Sequence, residues 1–388
     1  MKKFLMLLMI TTVFIFTGCF GDVDVTTSDM KGGTIKNNEG KTKDETEPPK
    51  ELTMDSVEKM LKTMTTEEKI GQMIMIGVQG TAIDDDIRYS LNKFHFGGVV
   101  LFDRNMETEE QTKTLVNEMK KIGGEKIPMF IALDEEGGRI VRGASFLEPA
   151  PSQEEIAMIN DLGAANYWAK YNAQLLHRIG ANLNFAPVAD VGTNDTRSFS
   201  YDTQTVTDYV NVTAEGYEEE NCLYTLKHFP GLGKSIVDTH QEVSNVTADM
   251  DTLDNEDIPP FENIVLNHDN TKFMIMVGHL KYDAIDPDNS ASLSSAVITD
   301  LLRNKIGYWG VVASDDLEMG AITNNMDISQ AGVNFVLAGG DIALVCHEYS
   351  KQQEVYTGIL EAVKNGTISE KRIDESVRKI LRMKTHLQ

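Results

Sequence analysis

Cysteine is nearly absent, with three in 388 residues, at Cys19, Cys222 and Cys346. Three thiols so spaced make neither a disulfide framework nor a metal-ligand set. Tryptophan is scarcer still, at two residues, Trp168 and Trp309. Positive charge is also short: 36 Lys and Arg stand against 60 Asp and Glu, a formal net charge of −24. That balance argues against nucleic acid and anionic membrane surfaces as partners and suits a neutral ligand or one bearing amines. Long apolar runs are missing apart from residues 4–16, and that run is too short to span a bilayer as a mature helix.

The run at 4–16 follows Met1-Lys2-Lys3 and leads into Thr17-Gly18-Cys19. A basic start, an apolar middle and small residues before a Cys form the pattern of a bacterial lipoprotein signal. Cleavage before Cys19 is expected, with Cys19 carrying the lipid. Such an anchor would hold the chain on the extracytoplasmic face of the cell membrane. Phe16 stands where that pattern prefers an aliphatic residue, and an ordinary secretory signal or an uncleaved anchor are the alternatives. Residues 19–51 are polar, rich in Thr, Lys, Glu and Asp, and end near Pro48-Pro49. They hold too little apolar surface to offset the entropy of ordering, so a flexible tether is expected.

From about residue 52 to the end at 388, composition is globular. Eight short apolar runs recur, at 73–76, 98–102, 129–133, 183–188, 222–226, 273–277, 310–313 and 342–346. They are near-continuous rather than alternating, as parallel strands buried on both faces are. Amphipathic stretches such as 107–122, 202–220, 294–305 and 354–364 lie between them, and 369–381 reads as a closing helix. Eight strand–helix units predict a single (β/α)8 barrel over 52–388, although the same alternation permits an open doubly wound sheet. Trp309, just before a strand at the barrel bottom, is expected in the core.

A barrel of this kind carries its chemistry at the carboxyl ends of the strands. Polar and ionisable residues stand there in succession: Asp134-Glu135-Glu136, Asp190, Lys227-His228, His279 and Ser314-Asp315-Asp316. The stretch Lys227-His228-Phe229-Pro230-Gly231-Leu232-Gly233 is followed by Asp238-Thr239-His240. Lys227 and His228 are expected where a strand gives way to a loop. Asp238 and His240 are spaced so that a carboxylate can orient an imidazole and favour its charged form. Asp315 closes the apolar run 310–313, so a strand would aim it as a nucleophile. Asp316 is given the lesser role of capping a helix that begins near Leu317. Carboxylates, Lys, Arg and His around one mouth, with no metal-ligand spacing, suit sugar hydroxyls and glycosidic chemistry. No cofactor and no metal are called for.

Several blocks resemble family 3 glycoside hydrolases, in order. They are Met64-Thr65-Thr66-Glu67-Glu68-Lys69-Ile70-Gly71-Gln72-Met73, Gly97-Gly98-Val99-Val100-Leu101-Phe102, Asp134-Glu135-Glu136-Gly137-Gly138-Arg139, Asn184-Phe185-Ala186-Pro187-Val188-Ala189-Asp190-Val191, Arg197-Ser198-Phe199, the Lys-His-Phe-Pro-Gly loop, Ser292-Leu293-Ser294 and Gly310 through Met319. The loop with its Asp-Thr-His is similar to that of the β-N-acetylglucosaminidase (β-N-acetylhexosaminidase) branch. The resemblance implies a (β/α)8 barrel, Asp315 as nucleophile and His240 assisted by Asp238 as acid/base. It also implies sugar contacts from Asp134, Arg142, Arg197, Lys227 and His228. It departs at Leu232, where the family often has His, and at Gln241-Glu242-Val243-Ser244, where Leu-Pro is common. The function implied is that of a retaining exo-β-N-acetylglucosaminidase acting on an amino-sugar oligosaccharide, from cell-wall muropeptides or chitin-type chains. The alternatives are a β-glucosidase or xylosidase of the same family and a non-catalytic sugar-binding lipoprotein.

Overall fold

The computed structural model describes residues 54–193, 195–233 and 245–387. The signal, the tether and Cys19 lie outside the described residues, as do Asp238 and His240.

Eight parallel strands close into a barrel: Ile74–Gly77, Gly98–Val100, Phe130–Leu133, Leu183–Asn184, Leu223–Phe229, Phe273–Val277, Val311–Asp316 and Ile342–Val345. Each pairs in parallel with the next, and the first pairs with the eighth through Ile74–Ala343, Met75–Leu344 and Ile76–Val345. Both faces of these strands are covered, which is why their sequences are apolar without alternation.

A helix follows each strand in turn: Asp85–Phe94, Glu109–Gly123, Leu162–Ile179, Thr203–Glu219, Pro259–Asn267, Ala296–Lys305, Ile328–Ala338 and Tyr349–Lys364. Side-chain caps open several of them. Thr108 accepts from the amide of Gln111, and Asp202 from that of Thr205. The helix Glu370–Lys384 closes the chain, capped by Ser369. Its buried Lys384 donates to Gln72 Oε1 and to Gly97 O, both at 2.7 Å, and lies 4.8 Å from the centre of the Phe130 ring.

Three expectations shift. The run 183–188 shortens to Leu183–Asn184, because Pro187 has no amide for the ladder; Val188 rejoins through an isolated bridge to Lys227. The fifth strand runs on through Lys227 and His228 to Phe229, instead of ending before them. Trp309 is 48% exposed and so is not core.

Candidate active site

A cavity of about 580 Å³ opens at the carboxyl ends of the strands. That is the size range of small-ligand sites. Asp134, Arg142, Arg197, Lys227, His228 and Asp315 all line it. Six side chains predicted from sequence, on the fifth and seventh strands and in the segments that follow the third and fourth, are thus brought to one place. In an eight-strand barrel the third and seventh strands face each other, so Asp315 stands across the mouth from Asp134.

The third strand ends at Leu133, and the chain then forms a short antiparallel pair, Glu135–Gly137 with Ile140–Val141. Gly137 and Gly138 have φ of +97° and +58°. A Cβ on Gly137 would sit 2.3 Å from the carbonyl oxygen of Pro151, so only glycine fits this reversal. The turn returns Arg142 to Asp134, with Arg142 Nη2 donating to Asp134 Oδ2 at 3.1 Å.

Lys227 sits between two carboxylates, with Nζ 2.7 Å from Asp134 Oδ1 and 2.6 Å from Glu136 Oε1. Arg197 closes on Glu136 through two bonds, Nε to Oε2 at 2.8 Å and Nη2 to Oε1 at 2.9 Å. Burial alone would raise the pKa of Asp134 and Glu136. The neighbouring cations outweigh it, and both carboxyls are held below their ordinary range. Burial pulls the Lys227 ammonium down, and Asp134 with Glu136 more than restores it, to above its ordinary value. The site is therefore a fully ionised, alternating set of charges that presents both donors and acceptors to a polyhydroxyl ligand.

His228 is oriented from behind. Its Nδ1 lies 2.8 Å from Asp190 Oδ2, and Asp190 Oδ1 accepts from the amides of His228 at 3.0 Å and Leu232 at 2.7 Å. With Nδ1–H donating to Asp190, Nε2 is left facing the cavity, 3.5 Å from Arg197 Nη2. The register of the fifth strand against the sixth shifts between Lys227 and Phe229. That irregularity lets Lys227 and His228, adjacent in sequence, line one cavity.

Asp315 is partly exposed at the end of the seventh strand, and its Oδ1 accepts from the amide of Asp316 at 2.8 Å. Asp316 does not cap a helix, because the next one begins at Gly320 with Met319 as its cap. Instead it ties the seventh strand to the eighth. Its Oδ1 accepts from Cys346 N at 3.2 Å and from Glu318 N at 3.1 Å, and its Oδ2 lies 3.1 Å from His347 Nε2. The bond to Asp316 raises the His347 pKa, against the opposing effect of burial. Buried His279 supports the same point from below, with Nε2 donating to Asp316 O at 3.0 Å and Nδ1 2.7 Å from Ser292 Oγ. The carboxylate of Asp315 is thus presented by a strand end braced on both sides.

Glu136, Asp190 and His347 are site residues to which the sequence alone assigned no role. Glu136 was findable, since it is two residues from Asp134 and falls on the same face. His347 follows the eighth apolar run and obeys the strand-end rule that located the others. Asp190 stood at a strand end, but nothing in the sequence paired it with His228. Among the described residues, no group of three or more His, Cys, Asp or Glu is arranged to hold a metal ion.

Residues 65–383 match the glycosyl hydrolase family 3 N terminal domain. The chain is 30% identical over 336 residues to the β-hexosaminidase LpqI of Mycobacterium tuberculosis, covering 83% of each. It is 27% identical to β-hexosaminidase A of Pseudoalteromonas piscicida, over 84% of this chain and 62% of that relative. Among solved structures, a family 3 β-N-acetylglucosaminidase from Paenibacillus superposes with a TM-score of 0.80 at 32% identity, over 84% of this chain and 63% of that one. M. tuberculosis LpqI superposes with a TM-score of 0.77 at 28% identity, over 84% of this chain and 96% of that one.

Proposed function

This chain belongs to glycosyl hydrolase family 3, and from that premise we propose that it is a retaining exo-β-N-acetylglucosaminidase. Its substrate class is terminal β-linked N-acetylglucosamine on cell-wall muropeptides or chitooligosaccharides. The observation that carries the reading is the shared cavity, with Asp315 on one side and the Asp134, Lys227, Glu136 and Arg197 network on the other. The names of the relatives support the amino-sugar specificity.

In the proposed mechanism the charge network grips the hydroxyls of the terminal sugar and sets its anomeric carbon before Asp315. Asp315 attacks and forms a covalent glycosyl-enzyme while the leaving oxygen takes a proton. His240, oriented by Asp238, supplies that proton and then removes one from the incoming water. An imidazole suits both halves, because its ordinary pKa is near neutral and its neutral form adds no second anion beside Asp315. Residues 1–18 are proposed as a lipoprotein signal and Cys19 as the lipid anchor of an extracytoplasmic enzyme.

Asp315→Ala is expected to lower kcat on 4-nitrophenyl N-acetyl-β-glucosaminide by about 10³-fold or more. Azide should partly rescue the variant and yield the α-glycosyl azide. Wild-type enzyme followed by proton NMR should release the β-anomer first. Near-full turnover in the variant, or an α-anomer as first product, would remove Asp315 from the nucleophile role.

A further inference from the structure

Glu135 is a buried carboxyl to which the proposed mechanism gives no part. It lies between Asp134 and Glu136, and alternation along the chain turns it away from the cavity that both neighbours line. Its backbone is pinned, with its amide donating to Asn184 Oδ1 at 3.0 Å and its carbonyl accepting from Asn172 and Asn184 at 3.0 and 2.9 Å. Its side chain reaches across the Gly-Gly reversal. Oε2 accepts from the amide of Arg142 at 3.1 Å and from that of Gly143 at 3.4 Å. Among the described residues, Oε1 is buried without a partner, and so is Nε of Arg142.

We propose that Glu135 is a positioning residue that fixes the Arg142 arm through these two amides and so sets the affinity of the sugar site. The inference rests on the reading of the cavity as a sugar site. Arg142 meets the cavity only because its backbone is held at this point, with its guanidinium committed to Asp134. Without Glu135 the buried amide of Gly143 and the part-buried amide of Arg142 would have no acceptor among the described residues, and the arm would reorganise to satisfy them.

The grip also has a proton dependence. Asp134 repels an ionised Glu135, Arg142 attracts it, and Tyr171 on helix Leu162–Ile179 and Tyr217 on helix Thr203–Glu219 lie within its electrostatic reach. Burial is the dominant influence and pushes the Glu135 carboxyl up to about 7, over the opposing amide bonds and Arg142. Below neutrality Glu135 is uncharged and Arg142 answers to Asp134 alone. Above it the two amide bonds tighten, but a second anion behind the cavity now competes with Asp134 for the guanidinium and draws it back from the sugar site.

The test uses the full chain and 4-nitrophenyl N-acetyl-β-glucosaminide. Glu135→Ala is expected to raise KM about tenfold while kcat stays within about threefold, the size of effect expected for stranding buried amides. Glu135→Gln keeps an acceptor and should restore KM to near the wild-type value at pH 5.5. The ratio of wild-type KM to Glu135→Gln KM should then climb about threefold or more between pH 5.5 and 8.5, as wild type alone gains the charge. An unchanged KM in Glu135→Ala, or a KM ratio that is flat with pH, overturns the proposal. Should Glu135→Ala fail to fold, the KM ratio decides alone. Absence of turnover by wild type would instead remove the amino-sugar reading on which the inference rests.

Discussion

Three carboxylates stand in a row at residues 134–136, and alternation sends the outer two into the cavity and the middle one behind it. Asp134 and Glu136 meet Lys227, Arg142 and Arg197 and stay ionised. Among the described residues, Glu135 meets two backbone amides and no side-chain cation within bonding reach of either oxygen. Its raised pKa is therefore also a statement about stability. The unfolded chain releases this proton near 4.5 and the folded one near 7. Folded protein binds the extra proton in that window, so its stability falls as pH rises from 4.5 to 7 and then levels off. A shift of this size amounts to about 3 kcal/mol. Glu135→Gln carries no such penalty. Urea unfolding at pH 4.5 and pH 8 should therefore show the variant gaining on wild type at the higher pH, by an amount approaching that magnitude. An equal difference at the two pH values would mean that Glu135 does not hold its proton in the folded chain.

At the scale of elements, the eight strands were legible because burial on both faces leaves an unmistakable apolar run. Their ends were less so. Lys227 and His228 look like loop residues by polarity, yet they extend the fifth strand because Asp134, Glu136 and Asp190 await them in the folded chain. Partners so distant in sequence cannot be read from local pattern. The site residues were legible where they followed an apolar run, as Asp134 and Asp315 do. Arg197 lies in an irregular loop, and only the family resemblance pointed to it. Trp309 looked apolar enough for the core, but it precedes its strand on the outer edge of the barrel bottom.

Nor did sequence alone mark Asp341 as the tie between the last helix and the barrel. Its Oδ2 takes Arg303 at 2.5 Å and Val312 N at 3.0 Å, and its Oδ1 takes Ser376 at 2.6 Å and Lys379 at 3.0 Å. Burial would raise its pKa; Lys379, Arg303 and Arg372 outweigh that and hold it low. A depressed carboxylate stabilises the fold above its ordinary pKa of 3.8, and the contribution fades as pH falls further. Asp341→Asn strands those cations and is expected to lower unfolding free energy by about 3–5 kcal/mol at pH 7. Its deficit against wild type should shrink in acid. A deficit below about 1 kcal/mol at neutral pH would mean that the network does not hold the closing helix.

At the scale of the whole molecule, the dominant property is a formal charge of −24. Such a body is repelled by an anionic membrane surface, and no described helix is long and apolar enough to cross one. If the enzyme is held at the membrane, electrostatic attraction of this acidic body is not the means, and the lipid on Cys19 is the tether we propose. One acyl chain binds only marginally, whereas the several chains of a lipoprotein anchor hold firmly. The two means respond oppositely to salt. An electrostatically bound protein leaves the membrane as salt screens the contact, and a lipid-held acidic one does not, since salt only weakens its repulsion. Expressed from Met1 in a bacterial host, wild type should therefore stay with the membrane fraction through a wash at about 1 M salt and partition into detergent. Cys19→Ser should appear in the soluble fraction or remain as a larger, uncleaved chain, with turnover on the nitrophenyl substrate unchanged because the barrel begins more than thirty residues later. Release of wild type by salt, or membrane retention of a processed Cys19→Ser protein, would rule out the lipid as the tether.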